Sequence, residues 1–237
     1  MRLHVNTKHP RSLFTAFKTK RNFEEISDQI KELIYAGVLK IGDKLPCERE
    51  LAVQFNIGRM VIREALRTLE ESGLIYIKHG SSGGAFIKST DSSVITKSIS
   101  DMIKIGDVKL ADLTEVRRGI EKIVLELAVK RISNKDMASI EKNIQDSERK
   151  ISKGISTLDE DLEFHALLAR SSRNPLFARI VESILNLTKS FVATRRRALH
   201  HDKILNCHKE IYRAVKERNL TVAQEKMQAH LLAMLSH

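Results

Sequence analysis

From residue 94 to residue 236 the apolar side chains recur every three or four positions, and no stretch alternates in the manner of a strand. That period has one folded solution, a set of amphipathic helices that bury their apolar stripes against one another. Brief breaks divide the run into segments at roughly 94–105, 109–132, 134–152, 157–171, 174–197, 200–218 and 220–236. Asn174-Pro175 supplies a helix start with proline at the first helical position, and Asn219 with Thr221 separates the last two segments. The second part of the chain is therefore predicted to be an all-α bundle of about seven helices.

The first part follows a different plan. Phe23, Ile26, Ile30, Leu33 and Ile34 step by three and four, which predicts a helix ending near Gly37. After KIGDKLP come two short helices, Glu48 to Phe55 and Arg59 to Ser72, separated by the break NIG. Two short helices across a tight turn form a helix-turn-helix. The stretch IYIKHGSSGGAFIK then places two runs of β-formers around a Gly/Ser cluster, which predicts a hairpin, or wing. Arg59 and Arg63 lie one turn apart, on the face opposite the Ile62, Leu66 and Leu69 stripe, where a second helix of this motif meets a DNA groove.

The charge balance fits such a partner. The chain of 237 residues has a formal net charge of +11, and residues 1 to 23 carry six Lys or Arg and no acid. Neutralising phosphates releases counterions, so a basic chain is drawn to polyanions. No apolar run approaches the length of a membrane span, and the N-terminus lacks the apolar core of a signal peptide, so a cytoplasmic protein is expected. Cys47 and Cys207, far apart in sequence, fit a reducing compartment. The expected organisation is a basic arm (1–20), a DNA-binding domain (21–88), a linker STDSS (89–93) and the helical domain (94–237).

Within the helical domain, His165, His208 and His230 each occupy the apolar face of their own helix, and Asp161 sits one turn before His165 on the same stripe. Singly, each histidine also fits a core residue satisfied by hydrogen bonds. Three of them with an inward carboxylate suit a divalent cation, Zn²⁺, Ni²⁺ or Mn²⁺, because an unpaired buried carboxylate is costly and a cation removes that cost. Arg117 also lies on an inner face, four after Leu113 and three before Ile120, with Glu121 available for an intrahelical pair, whereas Arg118 is expected to face solvent. His200 and His201, after the RRR run at 195–197, and terminal His237 are given no role.

The segment LPCERELAVQFNIGRMVIREALRTLEESGLIYIKHGSSGGAFI resembles the winged helix-turn-helix of the GntR superfamily of bacterial transcription regulators, and the helical remainder resembles the FCD ligand domain of its FadR-like subgroup. The resemblance implies a homodimer that binds a palindromic double-stranded DNA operator and senses a small molecule. It places DNA contacts at Arg49, Gly58, Arg59, Met60, Val61, Arg63, His79 and Gly80, and metal ligands at Asp161, His165, His208 and His230. It also implies that Arg117 holds an anionic effector, a small organic or sugar acid. Cys47 and Gly58 stand where the family commonly has serine, and Met60 and Val61 are apolar where relatives often present polar groups. Apolar side chains touch a thymine methyl but form no bidentate hydrogen bonds, so Arg49, Arg59 and Arg63 are expected to carry specificity. Two other readings compete: a helical metalloenzyme with an accessory DNA-binding head, and a DNA-binding protein whose helical domain is a ligand-free dimerisation scaffold.

Overall fold

The computed structural model describes residues 22–89, 91–194 and 201–233, with the side chains of residues 110 and 191–194 excepted. The basic arm, the arginine run at 195–197, His200 and His237 lie outside the described residues. The chain forms two compact units, one reaching Thr90 and one beginning at Asp91.

The first unit contains α1 (Asn22–Tyr35), α2 (Glu48–Gln54), α3 (Arg59–Glu71), β1 (Ile75–Lys78) and β2 (Gly84–Ile87). The apolar stripe of α3, Ile62, Ala65, Leu66 and Leu69, is buried with Ile26 and Ile30 of α1 and Leu51 of α2. Buried Ser27 ties α1 to α3, its hydroxyl donating to the Phe23 carbonyl at 2.8 Å and the Ala65 carbonyl at 3.1 Å. Between α2 and α3 the chain reverses at Asn56, which has a φ of 50°. Asparagine is among the few side-chain-bearing residues that take this left-handed conformation at low cost.

Cys47 at the start of α2 offers no side-chain cap, but its amide donates to Glu50 Oε2 at 2.9 Å. One of the helix's orphan donors is thereby satisfied. The strands pair antiparallel from Ile75↔Ile87 to Lys78↔Gly84, and a bridge between Lys44 and Phe86 extends the edge. Glycine is required near the hairpin tip, because a Cβ on Gly83 would lie 2.3 Å from the Lys78 carbonyl oxygen.

The second unit contains α4 (Ser93–Ile105), α5 (Leu110–Arg131), α6 (Asn134–Ile151), α7 (Leu158–Ser171), α8 (Pro175–Thr194), α9 (His201–Lys216) and α10 (Leu220–Ala233). Side chains set several of their starts, at Asn174 as the sequence predicts. Ser133 and Asp136 cap α6 reciprocally, and Asn174 Oδ1 accepts from the Leu176 and Phe177 amides at 3.0 and 3.3 Å. Ser92, placed by sequence in a structureless linker, is buried, and its carbonyl accepts from the Ser183 hydroxyl of α8 at 3.1 Å. The central helix α7 packs on α5, α6 and α8, and α10 packs on α9 and α5. The inner faces of α5, α7, α9 and α10 thus share one core, which includes Leu125, Phe164, Ile211 and Met227. None of the described helices is long and apolar enough to cross a membrane.

Candidate metal centre and nucleic-acid face

Three imidazoles converge in that core. His165 of α7, His208 of α9 and His230 of α10 are no more than 2 % exposed, and one ligand atom from each lies within 4.8 Å of the other two. His165 Nε2 is 3.1 Å from His230 Nε2, and His208 Nε2 is 3.3 Å from the same atom. Phe164 stacks on His208 with centroids 4.0 Å apart, which fixes that ring's plane. Burial is the main cause that holds all three imidazoles below the ordinary histidine value, His230 at about 3, and the Arg117 charge acts in the same direction. They are therefore neutral at pH 7, the protonation state in which histidine binds metals.

The spacing has a further meaning. Nitrogens bound to one divalent ion at about 2.0–2.1 Å lie roughly 2.9–3.4 Å apart, depending on coordination number. The two short Nε2 separations fall in that range. A single proton on His230 Nε2 serves one strong hydrogen bond, so three imidazole edges meeting at one point press lone pairs together unless a cation sits among them. The donor set fits a divalent ion.

Asp161 behaves differently from the other predicted ligands. It is buried, but its carboxylate does not belong to the three-histidine group. Its Oδ2 accepts from the Thr157 hydroxyl at 3.2 Å, and Oδ1 has no hydrogen-bond partner. Burial pushes this carboxyl up to about 7, with Glu160 acting in the same direction and Thr157 opposing. Thr157 Oγ1 also lies 2.8 Å from Nδ1 of His201, the first residue of α9.

Arg117 is buried as its spacing predicts, and its Nε donates to Glu121 Oε1 at 2.6 Å. Its Nη2 is buried without a hydrogen-bond partner. Arg118 is half-buried rather than directed to solvent. It lines a groove of about 530 Å³ with Glu115, Lys122 and Gln228, because α10 lies alongside that face of α5.

Glu121 is the residue that sequence reasoning missed. Its other oxygen, Oε2, lies 2.5 Å from His165 Nδ1, so besides the intrahelical pair with Arg117 it forms a buried link between two helices. Burial raises this carboxyl, but His165 and Arg117 outweigh burial and hold it well below the usual range. Spacing along the helix showed only that Glu121 follows Arg117 by one turn, toward buried Val124 and Leu125, and gave no sign of His165.

In the first unit, Arg49, Gly58, Arg59, Met60, Arg63, His79 and Gly80 are exposed, and Val61 is half-buried against the core. Arg63 Nε donates to Glu48 Oε2 of α2 at 2.8 Å, and Arg59 Nη2 lies 3.8 Å from the same oxygen. His79 and Gly80 follow β1 at the hairpin tip, where Gly80 has a φ of 105°. The start of α3 and the tip therefore offer basic and small residues at the surface.

Comparison with known proteins follows the same division. Residues 22–86 match the family described as bacterial regulatory proteins, gntR family, and residues 112–233 match the FCD domain. An HTH-type transcriptional regulator of Bacillus subtilis, YcbG, is 28% identical over 208 residues, covering 88% of this chain and 86% of that protein. The Uxu operon regulator of Haemophilus influenzae is 26% identical over 217 residues, covering 89% and 79%. The transcriptional repressor NanR of Klebsiella aerogenes is 25% identical over 218 residues, covering 90% and 83%. A solved GntR structure from Streptococcus agalactiae covers 91% of this chain and 100% of its own, with 29% identity and a TM-score of 0.61. These relatives are regulators of transcription, not enzymes. With its winged helix-turn-helix and all-helical FCD domain, the chain belongs to the FCD-containing GntR family of bacterial transcription regulators.

Proposed function

We propose that this chain acts as a homodimeric repressor that binds a palindromic operator and releases it on sensing a small organic or sugar acid at a metal-containing site. The observation that carries this reading is the meeting of three buried, neutral imidazoles at the separation nitrogens keep around one divalent ion. His165, His208 and His230 would hold Zn²⁺, Ni²⁺ or Mn²⁺. Asp161, one turn before His165 and with Oδ1 unpaired, is the fourth ligand in this reading, although its carboxylate stands outside the three-histidine group and would have to turn toward it. A divalent ion bound there supplies positive charge and open positions for a carboxylate.

Arg117 complements it. Its unpartnered Nη2 is available to an effector carboxylate, and a guanidinium pairs with that group in a directed way. On the DNA side, Arg59 and Arg49 reach phosphates and base edges, Met60 meets a thymine methyl, and His79-Gly80 enter the minor groove. A two-fold dimer reads a two-fold site. Relatives named NanR are called repressors, which supports the sign of the response. The effector acts by binding one dimer geometry more tightly than the other, since only differential affinity shifts such an equilibrium.

Fluorescence anisotropy with DNA from upstream of the chain's own gene tests this. Metal-loaded protein is expected to bind a palindromic segment and to lose affinity in the presence of at least one member of an organic-acid series. Arg59→Ala is expected to weaken binding about 10-fold or more, in line with ~1–3 kcal/mol for a base-reading arginine. Unchanged affinity in that variant, or binding that ignores every acid, contradicts the reading.

A further inference from the structure

Glu121 divides its two oxygens between groups that belong to different parts of the site. Oε1 accepts from Arg117 Nε at 2.6 Å and Oε2 faces His165 Nδ1 at 2.5 Å. All three side chains are at least nine-tenths buried, so no water competes for these bonds. We propose that Glu121 is a positioning residue that fixes His165 in the tautomer protonated on Nδ1, presenting a bare Nε2 to the point where His208 and His230 converge.

The chemistry requires this direction. An ionised carboxylate only accepts, so the 2.5 Å contact needs its proton on Nδ1, and a neutral imidazole then carries a lone pair on Nε2. Metal-binding histidines characteristically donate their second nitrogen to a carboxylate, which sets ring orientation and raises ligand basicity. Arg117 serves the same end, because its bond to Oε1 keeps the carboxylate turned with Oε2 toward His165. The assignment of a tautomer stands on these distances and burial alone. Its purpose rests on the metal reading above.

Glu121→Gln probes the arrangement with almost no change of shape. A glutamine placing its oxygen on His165 would aim its NH₂ at the Arg117 N–H, donor against donor. Turned over, it satisfies Arg117 but donates to His165 Nδ1, which forces the imidazole proton onto Nε2 and blocks a metal.

The experiment is two-bond ¹H–¹⁵N correlation of the histidine rings in the full-length, chelator-treated protein at pH 7, with His165 assigned by its loss in His165→Gln. A second arm titrates Zn²⁺ against a chromophoric chelator. The expected result is a neutral Nδ1–H ring for His165 in the unsubstituted protein, a shift toward Nε2–H in Glu121→Gln, and a fall of about 10- to 100-fold in that variant's Zn²⁺ affinity. An Nε2–H or doubly protonated His165 in the unsubstituted protein overturns the proposal, as does a variant that binds Zn²⁺ within threefold of it. Failure of the unsubstituted protein to take up Zn²⁺ overturns the metal reading, whereas an Nδ1–H ring in that same sample still supports the assignment to Glu121.

Discussion

Two buried carboxylates within one core meet opposite conditions. Glu121 has a guanidinium and an imidazole on its oxygens and stays ionised, whereas Asp161 has one hydroxyl and an unpaired oxygen, so burial dominates and raises it to about 7. A folded-state value above the unfolded one stabilises the fold fully at pH values below the unfolded carboxyl's, near 4. That contribution is lost as pH rises toward 7. Chelator-treated protein is therefore expected to lose stability between about pH 4 and 7. Asp161→Asn should flatten that slope and gain roughly 2–4 kcal/mol at pH 8, read by urea unfolding. Equal stability of the two proteins at pH 8 would show that Asp161 carries no such burden. The histidines were legible from sequence because each obeys the spacing of its own helix. Glu121 was not, because its defining partner, His165, lies 44 residues away and intrahelical spacing points only to Arg117.

At the scale of elements, periodicity located every described helix within a few residues, because apolar stripes and caps are local signals. What spacing did not reveal was engagement across the chain. Ser92 sits in a polar run without apolar anchors, yet α8 buries it through Ser183, and Arg118 is half-covered because α10 lies alongside α5. The start of α6 shows how a local signal gains a distant partner: Asp136 accepts from the Ser133 amide at 2.9 Å and from Arg173 at 2.5 Å. Desolvation raises Asp136, but the Ser133 bonds, Arg173 and Lys135 outweigh it and lower this carboxyl. A lowered value adds stability above the unfolded carboxyl's range, and that stability disappears as pH falls through the folded one. Asp136→Asn is expected to cost about 0.5–2 kcal/mol at pH 7, a deficit that shrinks as the pH falls below the ordinary carboxylate range. A deficit that persists undiminished in acid would assign the loss to packing rather than charge.

For the whole molecule, the proposed regulation joins two chemistries: basic residues on one unit for DNA, and a buried cluster on the other for a ligand. A coupling free energy between them is reciprocal, so an acid that loosens the operator is itself bound less tightly in the operator's presence. Isothermal titration of the acid into free and operator-bound protein is expected to show the same factor that anisotropy gives for DNA. Unequal factors would mean that the two measurements report different equilibria. The family was legible in the sequence, since the helix-turn-helix pattern matches the gntR family, the helical remainder matches the FCD domain, and the inward histidines meet in the folded chain.

The most direct test is elemental analysis of purified protein dialysed against equimolar Zn²⁺, Ni²⁺ and Mn²⁺ and then freed of excess. About one divalent ion per chain is expected, with near-complete loss in His208→Gln and in His230→Gln. A chain that retains no ion, or variants that retain it undiminished, would contradict the metal centre.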